Sequence, residues 1–196
     1  MLNMRYVGVV VGLLGLLGCM RSFETGVTAY ARPDSSNLKR FVLQGPEPDR
    51  VGGDPRWPLF SGMLNRALVA KGFVPDANAP ELLIRVTYRV GDTQTYTYTE
   101  TTTNPDGTPG PSSTSSSDTS SYTLRLEALD PTSAGTRTPV VLWRTHAEMR
   151  STTTDMADVF PYLVASMEDY FGQTATESRT VIKKKNDPES ARLRNP

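Results

Sequence analysis

The chain has 196 residues, 37% of them hydrophobic, which fits one domain of ordinary size with flexible ends. Lys and Arg together number 21, as do Asp and Glu, so the composition provides no broad basic surface, and we expect no nucleic-acid partner. The one cysteine cannot form a disulfide within the chain, so the fold must depend on its hydrophobic core.

Residues 1–18 have the pattern of a secretory signal peptide. Arg5 precedes an apolar, glycine-rich run from Tyr6 to Leu17, and Gly18 ends this run before Cys19. A membrane-spanning helix needs about 20 predominantly apolar residues, whereas the apolar part of a signal peptide has roughly 7–15 and ends at small residues. The run therefore indicates a signal peptide and not a membrane span.

The residues Leu16-Leu17-Gly18-Cys19 resemble the lipobox of bacterial lipoproteins, in which an aliphatic, a variable and a small residue precede a cysteine. The resemblance implies that the Cys19 thiol carries diacylglycerol, that cleavage occurs before Cys19, and that the new amine is acylated, typically with palmitate. Several acyl chains anchor a protein stably to the lipid bilayer. The alternative is an ordinary cleaved signal peptide that happens to precede a cysteine.

The residue after Cys19 favours one of the two bacterial membranes. Met20 stands where an aspartate would signal inner-membrane retention in enteric bacteria, so we expect the outer membrane, with the protein facing the periplasm. Removal of residues 1–18 takes away Arg5 and no acid, which leaves 20 basic and 21 acidic residues and a net charge of −1. The sequence therefore predicts a nearly neutral domain on a lipid anchor.

Residues 19–26 are predicted to be a tether and residues 27–173 a single α+β domain. Strands are expected near Gly26–Ala31 and over Leu38–Leu43. Apolar residues at helical spacing predict a helix over Pro58–Lys71, which Gly72 ends. These residues are Phe60, Met63, Leu64, Ala67 and Leu68.

Strict alternation of apolar and polar residues predicts three half-buried strands, at Glu81–Val90, Tyr122–Leu129 and Val141–Met149. The apolar spacing between Met156 and Phe171 predicts a second helix. We expect Asp158 to be its N-cap, because Pro161 then lies in the first turn, at a position whose N–H needs no partner within the helix. Residues 174–196 are polar without an apolar period and are predicted to be disordered.

A Ser/Thr-rich insert at residues 93–121 separates two of these strands. Its first part alternates threonine with Tyr96 and Tyr98, which favours extension of the preceding strand. Its centre is rich in Pro, Gly and Ser, so we expect a flexible hairpin. Two interpretations stay open: a projecting contact surface, or a solvated loop without a partner.

Two stretches carry a family resemblance: "LNRALVAKGFVPDANAPELLIRV" at Leu64–Val86 and "PYLVASMEDYFG" at Pro161–Gly172. With the lipobox and the alternating strands, they resemble the bacterial lipoproteins grouped as domain-of-unknown-function family forty-one thirty-six. That family has an Ala-Asp pair where this chain has Pro80-Glu81. The resemblance spans roughly residues 27–172 and implies a periplasm-facing α+β domain without an assigned activity.

No residue pattern indicates catalysis, a cofactor or a metal site, so we expect that the protein is not an enzyme. His146, the one histidine, falls on the polar face of its strand beside Arg144 and Glu148, where a surface role is more common than a catalytic one. Ser36 and Lys39 match an S-x-x-K motif, but the other elements of penicillin-recognising enzymes are missing from the sequence.

We predict an α+β fold with a mostly antiparallel sheet of four or five strands, two helices packed on one face, and the Ser/Thr-rich hairpin. The expected function is that of a membrane-anchored, non-catalytic interaction or accessory protein of the bacterial envelope, with an envelope protein or polymer as its partner. The candidate contact residues on the polar strand face are Arg85, Arg89, Arg125 and His146. The alternatives are a small periplasmic hydrolase and a carrier of a small apolar ligand, which would require a cavity between helices and sheet.

The apolar faces of these elements define the predicted core. It contains Phe60, Met63, Leu64, Leu68, Leu82, Ile84, Val86, Leu124, Leu126, Trp143, Phe160, Leu163, Val164, Met167 and Phe171.

Overall fold

A computed structural model describes residues 22–46, 54–153, 155–175, 177–184 and 187–194, and within these ranges the chain forms a seven-stranded sheet and three helices. The strands are β1 (Ser22–Ala31), β2 (Arg40–Gln44), β3 (Val74–Pro75), β4 (Leu82–Thr103), β5 (Pro109–Leu129), β6 (Val141–Ser151) and β7 (Arg179–Lys184). The helices are α1 (Trp57–Ala70), α2 (Met156–Met167) and α3 (Pro188–Arg194).

The sheet is mixed, with the strand order β3-β2-β4-β5-β6-β1-β7. Along the part of the sheet with the order β4-β5-β6-β1-β7, each strand pairs antiparallel with its neighbour. Strand β2 pairs parallel with both β4 and β3. The chain passes from β2 through α1 and β3 to β4, and a parallel pair of strands requires such a crossover connection. The predicted four- or five-stranded, mostly antiparallel sheet with two helices is therefore wrong, although the α+β class is retained.

Glu81 holds the parallel strands in register at their start. Its carboxylate accepts the backbone N–H groups of Lys39 and Arg40 at 2.9 and 3.0 Å. These two backbone hydrogen bonds, with help from the Arg40 guanidinium, lower the pKa of Glu81 to about 2. The acid of the Pro80-Glu81 pair thus joins the beginning of β2 to the beginning of β4.

The core lies between the helices and one face of the sheet, which we call the inner face. All of the predicted core residues are buried there, so this prediction is confirmed. The rings of Phe60 and Phe160 stack with centroids 4.0 Å apart, and Tyr88 meets Phe60 edge-on at 5.1 Å. Trp143 packs between Phe73 and Phe171. Aromatic side chains therefore fill the space between helices and sheet, which argues against a carrier of an apolar ligand.

Helix α1 matches its prediction to within one residue at each end. Gly72 follows it with a φ of 83°, the left-handed conformation that favours glycine at a helix end. Before the helix, Asp54 accepts hydrogen bonds from Arg56 and from the Tyr88 hydroxyl, the latter at 2.7 Å. The bond from Arg56, supported by Tyr88, lowers the pKa of Asp54 to about 2 in spite of partial burial. This cluster joins the start of α1 to β4.

Helix α2 begins earlier than predicted. Asp155 is the N-cap and its side chain accepts the Ala157 N–H at 2.9 Å, so Asp158 lies in the first turn and Pro161 lies inside the helix. The prediction of Asp158 as the N-cap was wrong, because it assumed that proline could stand only in the first turn. Instead, Pro161 is buried, and the helix tolerates one missing N–H bond in a well-packed position.

The predicted tether and the predicted disordered tail contain regular structure, and the insert is a paired hairpin. Strand β1 begins inside the predicted tether, and residues 19–21 lie outside the described part of the chain. The insert forms the ends of β4 and β5, which pair from Thr93↔Ser120 to Thr103↔Pro109; we call residues 93–120 the arm. The predicted disordered tail contains β7 and α3, and Leu193 of α3 is fully buried.

Candidate functional site

The side of the sheet opposite the helices, which we call the outer face, is polar. Within residues 82–89 of β4, 120–128 of β5 and 143–149 of β6, every second residue faces the core, and the residues between them are partly or fully exposed. Strand β1 follows the same alternation, with Thr25 and Val27 buried on the inner face. The outer face carries Arg85, Thr87 and Arg89 on β4, Thr123, Arg125 and Glu127 on β5, Arg144, His146 and Glu148 on β6, and Thr28 and Tyr30 on β1.

The strand register places these side chains in three rows across the sheet. The first row is Arg85, Glu127 and Arg144, the second is Thr87, Arg125 and His146, and the third is Arg89, Thr123 and Glu148. Directly opposite and diagonal neighbours in such a ladder are close enough to interact. Arg125 is the centre of the grid, with Thr87 and His146 on either side of it.

Glu127 is the carboxylate that balances part of the positive charge. It accepts a hydrogen bond from Arg125 at 2.6 Å and one from Nε of Arg144 at 2.8 Å. Burial acts to raise the pKa of Glu127, but the two guanidinium groups together outweigh it and lower the pKa. Glu127 is therefore ionised at neutral pH, and it fixes the position of Arg125.

An open groove of about 600 Å³ lies over this grid. Residues of β4, β5 and β6 and of the end of β2 line it: Gln44, Gly45, Pro46, Arg85, Val86, Thr87, Tyr88, Arg89, Thr123, Arg125 and His146. Among the described residues that line the groove are three arginines and one histidine, and no Asp, Glu, Ser or Cys; residues 47–53, which follow Pro46, lie outside the described chain. The described lining thus offers guanidinium and hydroxyl groups, which are suited to an anionic ligand.

His146 is half-buried at one edge of the groove. Burial lowers its pKa, the charge of Arg125 lowers it further, and Glu148 acts in the opposite direction. The imidazole is therefore neutral at pH 7, with one nitrogen that donates a hydrogen bond and one that accepts. In this state His146 is a polar contact residue and not a further cation.

The structure brings all four candidate contact residues together. Arg85, Arg89, Arg125 and His146 come from three strands and line the same groove. The sequence analysis missed Gln44 and Pro46, because the parallel pairing that places the end of β2 beside Arg85 has no local sequence signal. Cys19 and the rest of residues 1–21 lie outside the described residues, and among the helices of the described chain none is long and apolar enough to span a membrane.

These observations define the class of fold: an α+β domain in which helices cover one face of a mixed sheet and leave a polar, arginine-rich face open. The sequence pattern of the family described as "Domain of unknown function (DUF4136)" matches residues 27–171. The chain belongs to this family, which confirms the resemblance drawn from the sequence. The comparison with curated proteins finds no match.

Two solved structures are similar to the chain at low identity. A PDZ domain protein from Parabacteroides distasonis ATCC 8503 is 16% identical, with 83% of this chain and 39% of that chain covered and a TM-score of 0.47. A PelC dodecamer from Paraburkholderia phytofirmans is 12% identical, with 76% of this chain and 98% of that chain covered and a TM-score of 0.39. The chain thus spans well under half the length of the PDZ domain protein.

Proposed function

We propose that the protein is a lipid-anchored, non-catalytic interaction module of the bacterial envelope that binds a partner through the outer face of its sheet. Acylated Cys19 would hold it on the outer membrane, facing the periplasm. The observation that supports the binding role is the groove on the outer face, which has three arginines and one histidine among its lining residues. Arginine is enriched in protein interfaces, where its planar guanidinium forms several directed hydrogen bonds.

The anchor and the groove would act together. Several acyl chains keep a protein on the membrane, so the domain meets partners at that surface at a raised effective concentration. A groove of modest intrinsic affinity is then sufficient for a stable association. Glu127 contributes by orienting Arg125 and Arg144 before a partner arrives, which reduces the entropy lost on binding.

The two alternatives have less support in the structure. A hydrolase would need His146 beside a nucleophile and an acid, and the lining residues within the described chain include neither Ser nor Cys and neither Asp nor Glu. A carrier would need space between helices and sheet, where Phe60 stacks on Phe160 and Trp143 packs against Phe73. Both observations favour binding at the open outer face.

The anchor is tested at Cys19. Mass spectrometry of the protein extracted from envelopes should show that the chain begins at residue 19 and carries acyl groups, and Cys19→Ala should release the protein from the membrane fraction. An unmodified thiol, or wild-type protein that washes out of envelopes, would refute the anchor.

The binding face is tested by site-specific photo-crosslinking in intact cells. A photoreactive residue replaces Thr87, an exposed residue that lines the groove, and the matched control replaces Val69, which is 51% exposed on α1. We expect adducts from position 87 and none from position 69. Adducts of equal yield from both positions, or none from position 87, would contradict the proposal.

A further inference from the structure

The outer face continues onto the arm, because a β-bulge changes which residues of β4 point outward. Before the bulge, the outward residues of β4 are odd-numbered; between Val90 and Thr93 the register shifts by one residue. Beyond it, the outward residues of β5 are still odd-numbered, and Ser117 and Ser115 pair with Tyr96 and Tyr98. The two tyrosines therefore lie on the same face of the ladder as Arg85 and Arg89.

Gly91 supports this change of alternation. A Cβ atom at position 91 would lie 2.2 Å from the Ser121 hydroxyl, so a side chain there would force Ser121 to move. Glycine is common where a strand bulges and two backbones approach closely. Gly91 therefore suits the bulge, which places Tyr96 and Tyr98 on the outer face.

The tyrosines form an aromatic strip beside small hydroxyl side chains. Tyr96 is 47% exposed and Tyr98 is 61% exposed, and each lies opposite a serine, which leaves its ring uncovered. The Tyr96 hydroxyl donates to Gln94 at 2.7 Å, which restricts the ring. Exposed rings next to serines present an apolar surface with hydrogen-bonding groups at its edge, which matches a sugar ring with C–H bonds on its faces and hydroxyls around it.

The spacing of the two features indicates a long ligand. Arg89 and Tyr96 are seven residues apart on one strand, or about 24 Å at roughly 3.4 Å per residue. A small anion cannot contact both the groove and the tyrosines. Only an extended polymer that follows β4 and β5 from the groove to the arm can use both.

We propose that this face binds an acidic polysaccharide, with its carboxylates on Arg85, Arg89 and Arg125 and its sugar rings on Tyr96 and Tyr98. This inference rests on the proposed function, since it takes the outer face as the binding surface and identifies the chemical class of its partner. Glu100 lies beyond Tyr98 and Glu148 lies on the far side of the groove, whereas Asp92 is exposed at the bulge between the groove and the tyrosines.

The test measures binding of defined polymers to the full-length protein in detergent by calorimetry. The probes are polygalacturonate as an acidic polysaccharide, dextran as a neutral one and poly-L-glutamate as an acidic peptide. Two double variants are compared with matched double controls. R85Q/R89Q is compared with R137Q/R179Q, which removes two exposed arginines outside the groove, and Y96S/Y98S is compared with T97S/T99S on the opposite face of the arm.

We expect salt-sensitive binding of polygalacturonate that R85Q/R89Q and Y96S/Y98S each weaken about tenfold or more, with both controls within about twofold of the wild type. Dextran should not bind, and poly-L-glutamate should bind weakly and without an effect of Y96S/Y98S. Polygalacturonate binding that is insensitive to Y96S/Y98S, or tighter binding of poly-L-glutamate, would overturn the inference. If no polymer binds but position 87 still yields adducts, the polysaccharide is refuted and the interaction module stands; if the adducts are also lacking, both fail.

Discussion

Glu168 is a carboxylate with only 4% of its surface exposed, at the end of α2, and its partner comes from the last helix. Arg192 of α3 donates two hydrogen bonds to it, at 2.7 and 2.8 Å. Burial raises the pKa of Glu168, and the charge of Arg192 works against this rise. A buried carboxylate depends on its partner, because an unpaired charge in the interior is strongly unfavourable.

Arg192→Ala should therefore destabilise the protein by about 2 kcal/mol at pH 7, a value reduced from that of a fully buried pair because Arg192 is partly exposed. Without Arg192, the pKa of Glu168 in the folded state rises further above its unfolded value. A group with a raised folded-state pKa favours the folded state at low pH and loses this contribution as pH rises through that pKa. The deficit should thus shrink from pH 7 to pH 5, as measured by urea unfolding.

The double variant E168Q/R192A is the control for this assignment, since the glutamine side chain that replaces Glu168 cannot ionise. Its stability relative to the wild type should not recover toward pH 5 in the way that Arg192→Ala does. An Arg192→Ala deficit that is the same at both pH values would refute the ion-pair interpretation.

At the scale of single elements, two aspartates at the N-terminus of α2 have different roles. Asp155 accepts the Ala157 N–H at 2.9 Å as the N-cap, whereas Asp158 accepts a hydrogen bond from the Thr153 hydroxyl at 3.2 Å. We expect Asp155→Ala to lower the free energy of unfolding by about 1 kcal/mol and Asp158→Ala to lower it by clearly less. Chemical denaturation of both variants measures the difference; a larger loss for Asp158→Ala would contradict the observed cap.

Helix α3 is attached to the core by one apolar side chain. Leu193 is fully buried, and its carbonyl accepts a hydrogen bond from Arg66 of α1. Leu193→Ala should destabilise the protein by about 2 kcal/mol, near the lower end for a buried leucine because a short helix can shift to reduce the cavity. Ile182→Ala in β7 is the matched control, since Ile182 is 65% exposed and its truncation should have little effect. Equal thermal stability of the two variants would show that the tail does not contribute to the core.

At the scale of the whole molecule, the arm is separable from the domain. Between Gln94 and Thr119 its side chains are almost all exposed, and there its two strands pair only with each other. Replacement of residues 94–119 by Asn-Gly, a sequence suited to a two-residue hairpin, should therefore leave the thermal midpoint within about 3 °C of the wild type. It should also abolish any contribution of the tyrosines to ligand binding. A large loss of stability would show that the arm supports the fold.

The proposed lipid anchor and the proposed binding face would also act at the scale of the whole molecule. The helices cover the inner face, so the open face is the side of the domain that is available to a partner. A partner that is itself a polymer can contact groove and arm at once, and the anchor would keep the domain near it. In this proposal the arm adds binding surface beyond the sheet and does not contribute to the stability of the fold.

The sequence by itself determined those features that local periodicity carries. It predicted the α+β class, the buried faces of α1, α2 and the three long strands, and the outward positions of Arg85, Arg89, Arg125 and His146, because side-chain direction alternates with period 2 in a strand and repeats every 3.6 residues in a helix.

Only the tertiary structure decided which elements meet. The parallel β2–β4 pair, the two-residue β3 and the docking of β7 and α3 depend on contacts between residues far apart in the chain, and the polar residues 174–196 have no apolar period that would reveal them. The bulge after Val90 reversed the alternation and placed Tyr96 and Tyr98 on the arginine side, which a strict period of 2 cannot predict.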